Sequence, residues 1–127
     1  MRKKLKVLVL FDTAGTPPPD QDFTEELKTE DWKAEANVID ALRRLGHEVR
    51  TIGVYDEPRL ILDEVTSHPP DVVFNLTEHF NNRLASDRDV ASLLDMLGVR
   101  YTGTGPTGLT LCKNKGMAKE ILAYHHI

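Results

Sequence analysis

Glu78 and His79 put a carboxylate beside an imidazole in a polar stretch, Asn75-Leu76-Thr77-Glu78-His79-Phe80, that follows an apolar run. Such a pair suits proton transfer or recognition of a charged substrate group; a solvated surface loop is the competing reading. No third ligand stands near them at a metal-binding spacing, so no metal site is predicted. Ser86-Asp87, a few residues on, reads first as a helix cap, at a helix start that would favour an anion. Lys115 borders an apolar stripe shared with Leu111, Ala118 and Leu122 on the last helix; its stem is expected to lie along that stripe, or its ammonium to reach a phosphate across a domain boundary. Cys112, with no base partner evident, reads as a small buried or half-buried hydrophobe, and His125-His126 as a frayed helix end. Gly103-Thr104-Gly105-Pro106-Thr107-Gly108 matches G-x-G-x-x-G. It follows the last predicted strand instead of the first, so a tight turn launching a helix fits it better than a dinucleotide site.

The elements that must hold these residues are visible in the hydrophobic period. Lys6 to Phe11 is a continuous β-rich apolar run, as expected of a strand covered on both faces. Ala14 to Asp31, with Pro17-Pro18-Pro19, is the longest loop, and ordered loops of such length usually serve a function. Trp32, Glu35, Val38, Ile39, Leu42 and Leu45 recur at helical spacing, with Gly46 placed as a C-cap. A strand is expected over Glu48–Val54, a helix opened by Pro58 and ended by Pro69-Pro70, and a third strand over Asp71–Leu76. Val90, Leu93, Leu94 and Leu97 form the stripe of a third helix closed by Gly98. Val99–Thr102 is predicted as a fourth strand, and Pro106–His126 as one long helix.

Strand–helix alternation with buried strands gives an α/β fold: a Rossmann-like, four-stranded parallel sheet with helices on both faces, connected right-handedly. Ligands in such sheets sit beyond the carboxyl ends of the strands. Were the first and third strands neighbours, that place would lie between the loops that begin at Asp12 and Asn75.

Composition narrows the function classes. The 127 residues carry 16 Lys and Arg against 20 Asp and Glu, a net charge of −4. That balance speaks against broad nucleic-acid binding. The apolar run Val7–Phe11 is far shorter than the ~20 residues of a membrane span. Met1-Arg2-Lys3-Lys4 looks like a signal-peptide start, but Asp12 interrupts the apolar stretch that should follow. The single cysteine fits a reducing cytoplasm. A single cytoplasmic domain over residues 1–127 is the expectation, enough chain to bury roughly two thirds of its unfolded surface.

Val73-Phe74-Asn75-Leu76, a glutamate-containing loop, and then Leu93-Leu94-Asp95-Met96-Leu97-Gly98-Val99-Arg100-Tyr101-Thr102-Gly103 resemble the amino-terminal (pre-ATP-grasp) domain of the D-alanine–D-alanine ligase-like ATP-grasp family. The resemblance runs from Leu5 to Ile127 and is strongest from Asp71 onward. It implies an enzyme that joins a carboxylate to an amine through an acyl phosphate with ATP and Mg2+, both cofactors of the full-length parent and neither expected to bind this domain alone tightly. It also implies that this domain supplies part of the first-substrate pocket and one lysine near the ATP phosphates. That lysine matches Lys115, with Asn114 where the family has aspartate; a fixed cation there would offset developing phosphate charge.

Two departures bear on the substrate. The family's first-loop glutamate, which binds the substrate ammonium, stands before a Val-Ser pair that is missing here. Glu25, Glu26, Glu30 and Glu35 are rival candidates, with Glu35, Glu78 and His79 carried forward as substrate-binding residues. The loop after the third strand lacks the family's glycines, so the substrate is read only as a small amino acid or another carboxylate or amine. The family's glycine-rich lid and acidic metal ligands do not occur in these residues, so the piece alone is expected to be inactive. The rival reading is a free-standing Rossmann-like small-molecule or protein-binding module without catalysis. No nucleic-acid or membrane partner is expected, and homodimer formation stays open. A receiver-like signalling domain fits poorly, because Asn75 stands where its phosphoacceptor aspartate would be.

Overall fold

The computed structural model describes residues 3–127; Met1 and Arg2, the start of the basic opening segment, lie outside the described residues. The order is β1 (Lys6–Asp12), α1 (Lys33–Arg44), β2 (Glu48–Val54), α2 (Arg59–Ser67), β3 (Val72–Asn75), α3 (Asp87–Met96), α4 (Pro106–Lys113) and α5 (Lys115–Tyr124). Single 3-10 turns occupy Glu26–Lys28, Glu30–Trp32 and Leu84–Ser86.

The sheet is parallel with order β2-β1-β3, so the first strand is central. Val7 faces Val49 on one side and Val72 on the other. Side chains of a strand alternate between faces, and β1 therefore seeds two cores. Leu8 and Leu10 pack with Val54, Ile61, Val65, Val73, Val90 and Leu94, beneath α2 and α3. Val7, Val9 and Phe11 pack with Phe23 and Ile39, beneath α1 and the long loop. That unbroken burial on both faces is why the run is apolar at every position.

The sheet has three strands, not the expected four. Tyr101 makes one parallel bridge to Val73, with Val73 N donating to Arg100 O (2.8 Å) and Thr102 N donating to Val73 O (3.0 Å). The next rung is taken by a side chain: Asn75 N donates to the Thr102 hydroxyl at 3.0 Å. Gly98 (φ 66°) and Gly103 (φ 94°) turn the chain in the left-handed region on either side, leaving too short an extended segment for a ladder. The expected single helix over Pro106–His126 is also corrected. Asn114 (φ −116°, ψ 89°) leaves helical geometry, and its side chain caps α5 by accepting from Met117 N at 3.0 Å. Lys115 is thus the first residue of a new helix, off the stripe that a continuous helix would share with Leu111.

The Ala14–Asp31 loop is held by aromatic rings. Phe23 meets Phe11 edge-on at 5.1 Å and stacks with Trp32 at 5.8 Å, while Trp32 meets Phe11 edge-on at 5.2 Å. Room for Phe23 comes from Gly53 on β2, where a Cβ would lie 2.6 Å from the Phe23 ring and 2.6 Å from Thr13 Cγ2. Because the ring is fixed between two others, Gly53→Ala is expected to lower the unfolding free energy by about 1–3 kcal/mol, read from the urea midpoint.

Arg50 on β2 makes a two-point ion pair with Glu64 on α2, and His68 Nδ1 lies 3.4 Å from the same carboxylate. The Arg50 hydrogen bond holds the Glu64 carboxyl below its ordinary value of 4.5. A depressed folded-state value stabilises the fold above the unfolded value, and that contribution fades as pH falls through the folded one. Glu64→Gln is therefore expected to cost about 0.5–1 kcal/mol at neutral pH. In thermal melts across pH the difference from the parent chain should shrink below 4.5 and vanish at stronger acid.

Candidate functional site

The carboxyl ends of the strands open into a cleft of about 550 Å³. Asp12 closes β1, Tyr55 follows β2, Glu78 and His79 come from the β3–α3 loop, and Trp32 and Glu35 from the start of α1. The structure brings Glu35, Glu78 and His79 to this one cleft, though they come from segments far apart in the chain. Of the four rival glutamates, Glu35 alone lines it. Glu25 pairs with Lys28 and Glu30 with Lys33, each at 2.6 Å, and Glu26 accepts from Gln21 at 2.9 Å. Among the described residues the lining holds four carboxylates (Asp12, Asp31, Glu35, Glu78) and His79, without lysine or arginine. Such a lining favours a positively charged group on the ligand.

The β3–α3 loop is fixed to the sheet at several atoms. Leu76 N donates to Leu10 O at 2.8 Å, and Asn75 Oδ1 accepts from both Thr77 N (3.2 Å) and the Thr77 hydroxyl (2.7 Å). Asp12 Oδ1 accepts from Glu78 N at 2.8 Å, and its Oδ2 lies 3.3 Å from His79 Nδ1. Asn81 N donates to Tyr55 O at 2.6 Å. Asn81 (φ 51°) and Asn82 (φ 58°) then reverse the chain between Phe80 and Arg83, which pair with each other. Asparagine tolerates this left-handed geometry better than other side-chain-bearing residues, so the loop turns without glycine.

A second cavity, of about 500 Å³, lies where α3 and α5 begin and α4 ends; Asp87, Arg88, Lys113 and Lys115 line it. Of the cap candidates Ser86 and Asp87, Ser86 takes the N-cap position of α3, with no side-chain capping bond, and Asp87 follows it. That aspartate is the first helical residue, its carboxylate 6% exposed, with Oδ1 accepting from Arg88 N and Oδ2 2.7 Å from Lys113 Nζ. Lys113 Nζ also donates to the backbone carbonyls of Leu84 and Glu78. Lys115, exposed, makes no ion pair among the described residues. Cys112 is exposed, contrary to the buried or half-buried expectation.

Sequence reasoning missed Asp12 and Lys113 as site residues. Asp12 had a readable signal, an acid closing the one fully apolar strand. Lys113 had none, because its partners lie 29 and 35 residues away along a loop. No group of three metal-ligating side chains occurs among the described residues, and no helix there is long and apolar enough to cross a membrane.

No family model and no solved structure matches the chain. Among curated proteins it is similar to the D-alanine–D-alanine ligase of Moorella thermoacetica, 34% identical over 118 residues, which is 93% of this chain and 33% of that protein. The ligase of Rhizorhabdus wittichii is 34% identical over 71% of this chain and 27% of its own length. That of Halalkalibacterium halodurans is 37% identical over 65% and 25%. The chain spans a third or less of the length of these relatives.

The asparagine turn is open to test by denaturation. Asn82→Val puts a β-branched side chain at φ 58° and is expected to cost about 1–2 kcal/mol, whereas Asn82→Gly should stay within about 0.5 kcal/mol of the parent chain. Equal melting temperatures for the valine and glycine variants would show that the turn is not held in this conformation.

Proposed function

Because this chain is related by sequence to the D-alanine–D-alanine ligases over most of its own length and about a third of theirs, we propose that it is the amino-terminal, pre-ATP-grasp-type domain of an ATP-dependent carboxylate–amine ligase. The observation that carries the reading is the 34% identity across 93% of the chain. In this reading the first cleft is the domain's share of the first-substrate pocket. Glu35 accepts from the substrate ammonium on one wall, and Glu78 and His79 stand on the other. The absence of lysine and arginine from that lining supports an amine-bearing substrate over a phosphorylated one.

The second cavity supports an ATP-phosphate contact through Lys115, which stands exposed at the start of α5 beside Arg88 and Lys113. Its ammonium would lie against phosphate oxygens and offset charge that builds during phosphoryl transfer. When bound, ATP would supply the phosphoryl group that activates the carboxylate for attack by the amine. The described residues do not fit a Mg2+ site, since no three suitable ligands converge; the metal's ligands in this reading belong to other parts of a longer ligase. Within the present residues the chemistry is therefore binding and orientation, not bond formation.

A binding module without catalysis is the second reading, favoured by one feature: the first cleft gathers Glu35, Glu78 and His79 from separate segments of these residues. The two readings separate in a ligase polypeptide that carries this sequence. There Lys115→Ala is expected to raise the ATP KM or lower kcat about tenfold or more, and Glu35→Gln to raise the KM for the amine-bearing substrate. Unchanged steady-state kinetics for Lys115→Ala would remove that residue from the phosphate site. Tight binding of a metabolite to the 127-residue chain, with no ATP-dependent ligation by the longer polypeptide, would favour the binding module.

A further inference from the structure

Glu78 lies in the loop with the two left-handed asparagines, and Asn81 to Ala85 beyond it are exposed. Little apolar packing restrains these residues, so their position depends on polar contacts. Two of those contacts act on Glu78 itself, from opposite directions. Its N–H donates to Asp12 Oδ1 at the end of β1 (2.8 Å), and its carbonyl accepts from Lys113 Nζ at the end of α4 (3.4 Å). We infer that Lys113 is a positioning residue for the substrate cleft: its ammonium ties the last turn of α4 to the loop that presents Glu78 and His79.

The chemistry of the ammonium fits this role. It has three N–H donors, and three acceptors surround it: Asp87 Oδ2, Leu84 O and Glu78 O. The acceptors span the loop from Glu78 to the first turn of α3, so one side chain bridges the whole segment. Asp87 makes the attachment firm. Its carboxylate is 6% exposed, against 35% for the Lys113 side chain, so loss of the cation would leave a buried charge uncompensated. A longer-range consequence concerns the two cavities. Lys113 also lines the second one, two positions before Lys115, so a single lysine joins the wall of the proposed phosphate site to the backbone of the proposed substrate site.

The structural half of the inference is independent of the ligase reading, and the functional half rests on it. Amide hydrogen exchange of the 127-residue chain tests the first. Lys113→Met is expected to speed exchange at Glu78, Phe80, Arg83 and Ser86 at least tenfold, with β1 and β2 unchanged and with Lys113→Arg restoring part of the protection. Unchanged loop amides, or an equal acceleration throughout the sheet, would overturn it. Should Lys113→Met fail to fold because Asp87 is left buried and unpaired, the double variant Asp87→Asn with Lys113→Met removes that charge, and the same loop amides are then compared with those of β1. Steady-state kinetics of the ligase polypeptide test the second half. A raised KM for the amine-bearing substrate with an unchanged ATP KM supports positioning, whereas a change confined to the ATP KM, or no change in an active enzyme, overturns it. An inactive unmodified polypeptide would count against the ligase reading and leave the exchange result standing.

Discussion

From Val7 to Phe11 five consecutive side chains are sealed from solvent, and both hydrophobic clusters begin on that strand. A central parallel strand with helices over both faces has no polar side to spare, and this burial sets the placement of everything else. α2 and α3 meet its even-numbered residues, while α1 and the long loop meet its odd-numbered ones. Where β1 ends, burial ends with it, and the first side chain free to be polar is Asp12. That acid stands at the floor of the cleft because the strand stops there. Its two oxygens then fix the loop opposite, one through the Glu78 amide and the other beside His79.

The two cavities differ in what restrains their walls. Around the first cleft the restraint comes from the sheet: Leu10 and Tyr55 carbonyls and the Asp12 carboxylate all accept from the β3–α3 loop. Around the second it comes from Lys113, set between helix ends, which pairs with Asp87 and donates to the Leu84 and Glu78 carbonyls. The first wall therefore hangs from the strand ends by polar bonds, and the second depends on a polar contact that solvent reaches from one side.

Much of the fold was legible because its signals are local. The apolar run of β1, the stripes of α1 to α3 and the glycines after α1 and α3 each report a physical requirement of their own neighbourhood. β2 was readable to the residue, Glu48–Val54. The fourth strand was not, because Val99–Thr102 has strand composition but meets a threonine hydroxyl in place of a second backbone rung. Nor was the break at Asn114, since the residues around it keep good helical character and only the Asn114 side chain, folding back to Met117 N, records a new start. For the site, the sequence pointed to Glu35, Glu78 and His79, which now share one cleft. Asp87 reads as an alternative to Ser86 for the cap because caps and buried ion pairs use the same residue type at the same helix end; only the path of α4, which returns Lys113 to it, separates them.

The central strand also precedes both of its neighbours along the chain. Leu5 N bonds to a side chain 42 residues away, and Lys6 N to one 65 residues away, so β1 lacks at least one neighbour until those 65 residues have followed it. At translation rates of about 5–20 residues per second, that interval is roughly 3–13 s. Throughout it a β-rich apolar segment has at least one unpaired edge, the circumstance in which nascent chains pair with one another. Lys3, Lys4 and Lys6 on one side and Asp12 on the other are the charges that oppose such pairing. The acid that later floors the cleft thus serves earlier as a gatekeeper, and replacing it would burden biogenesis before any ligand is met.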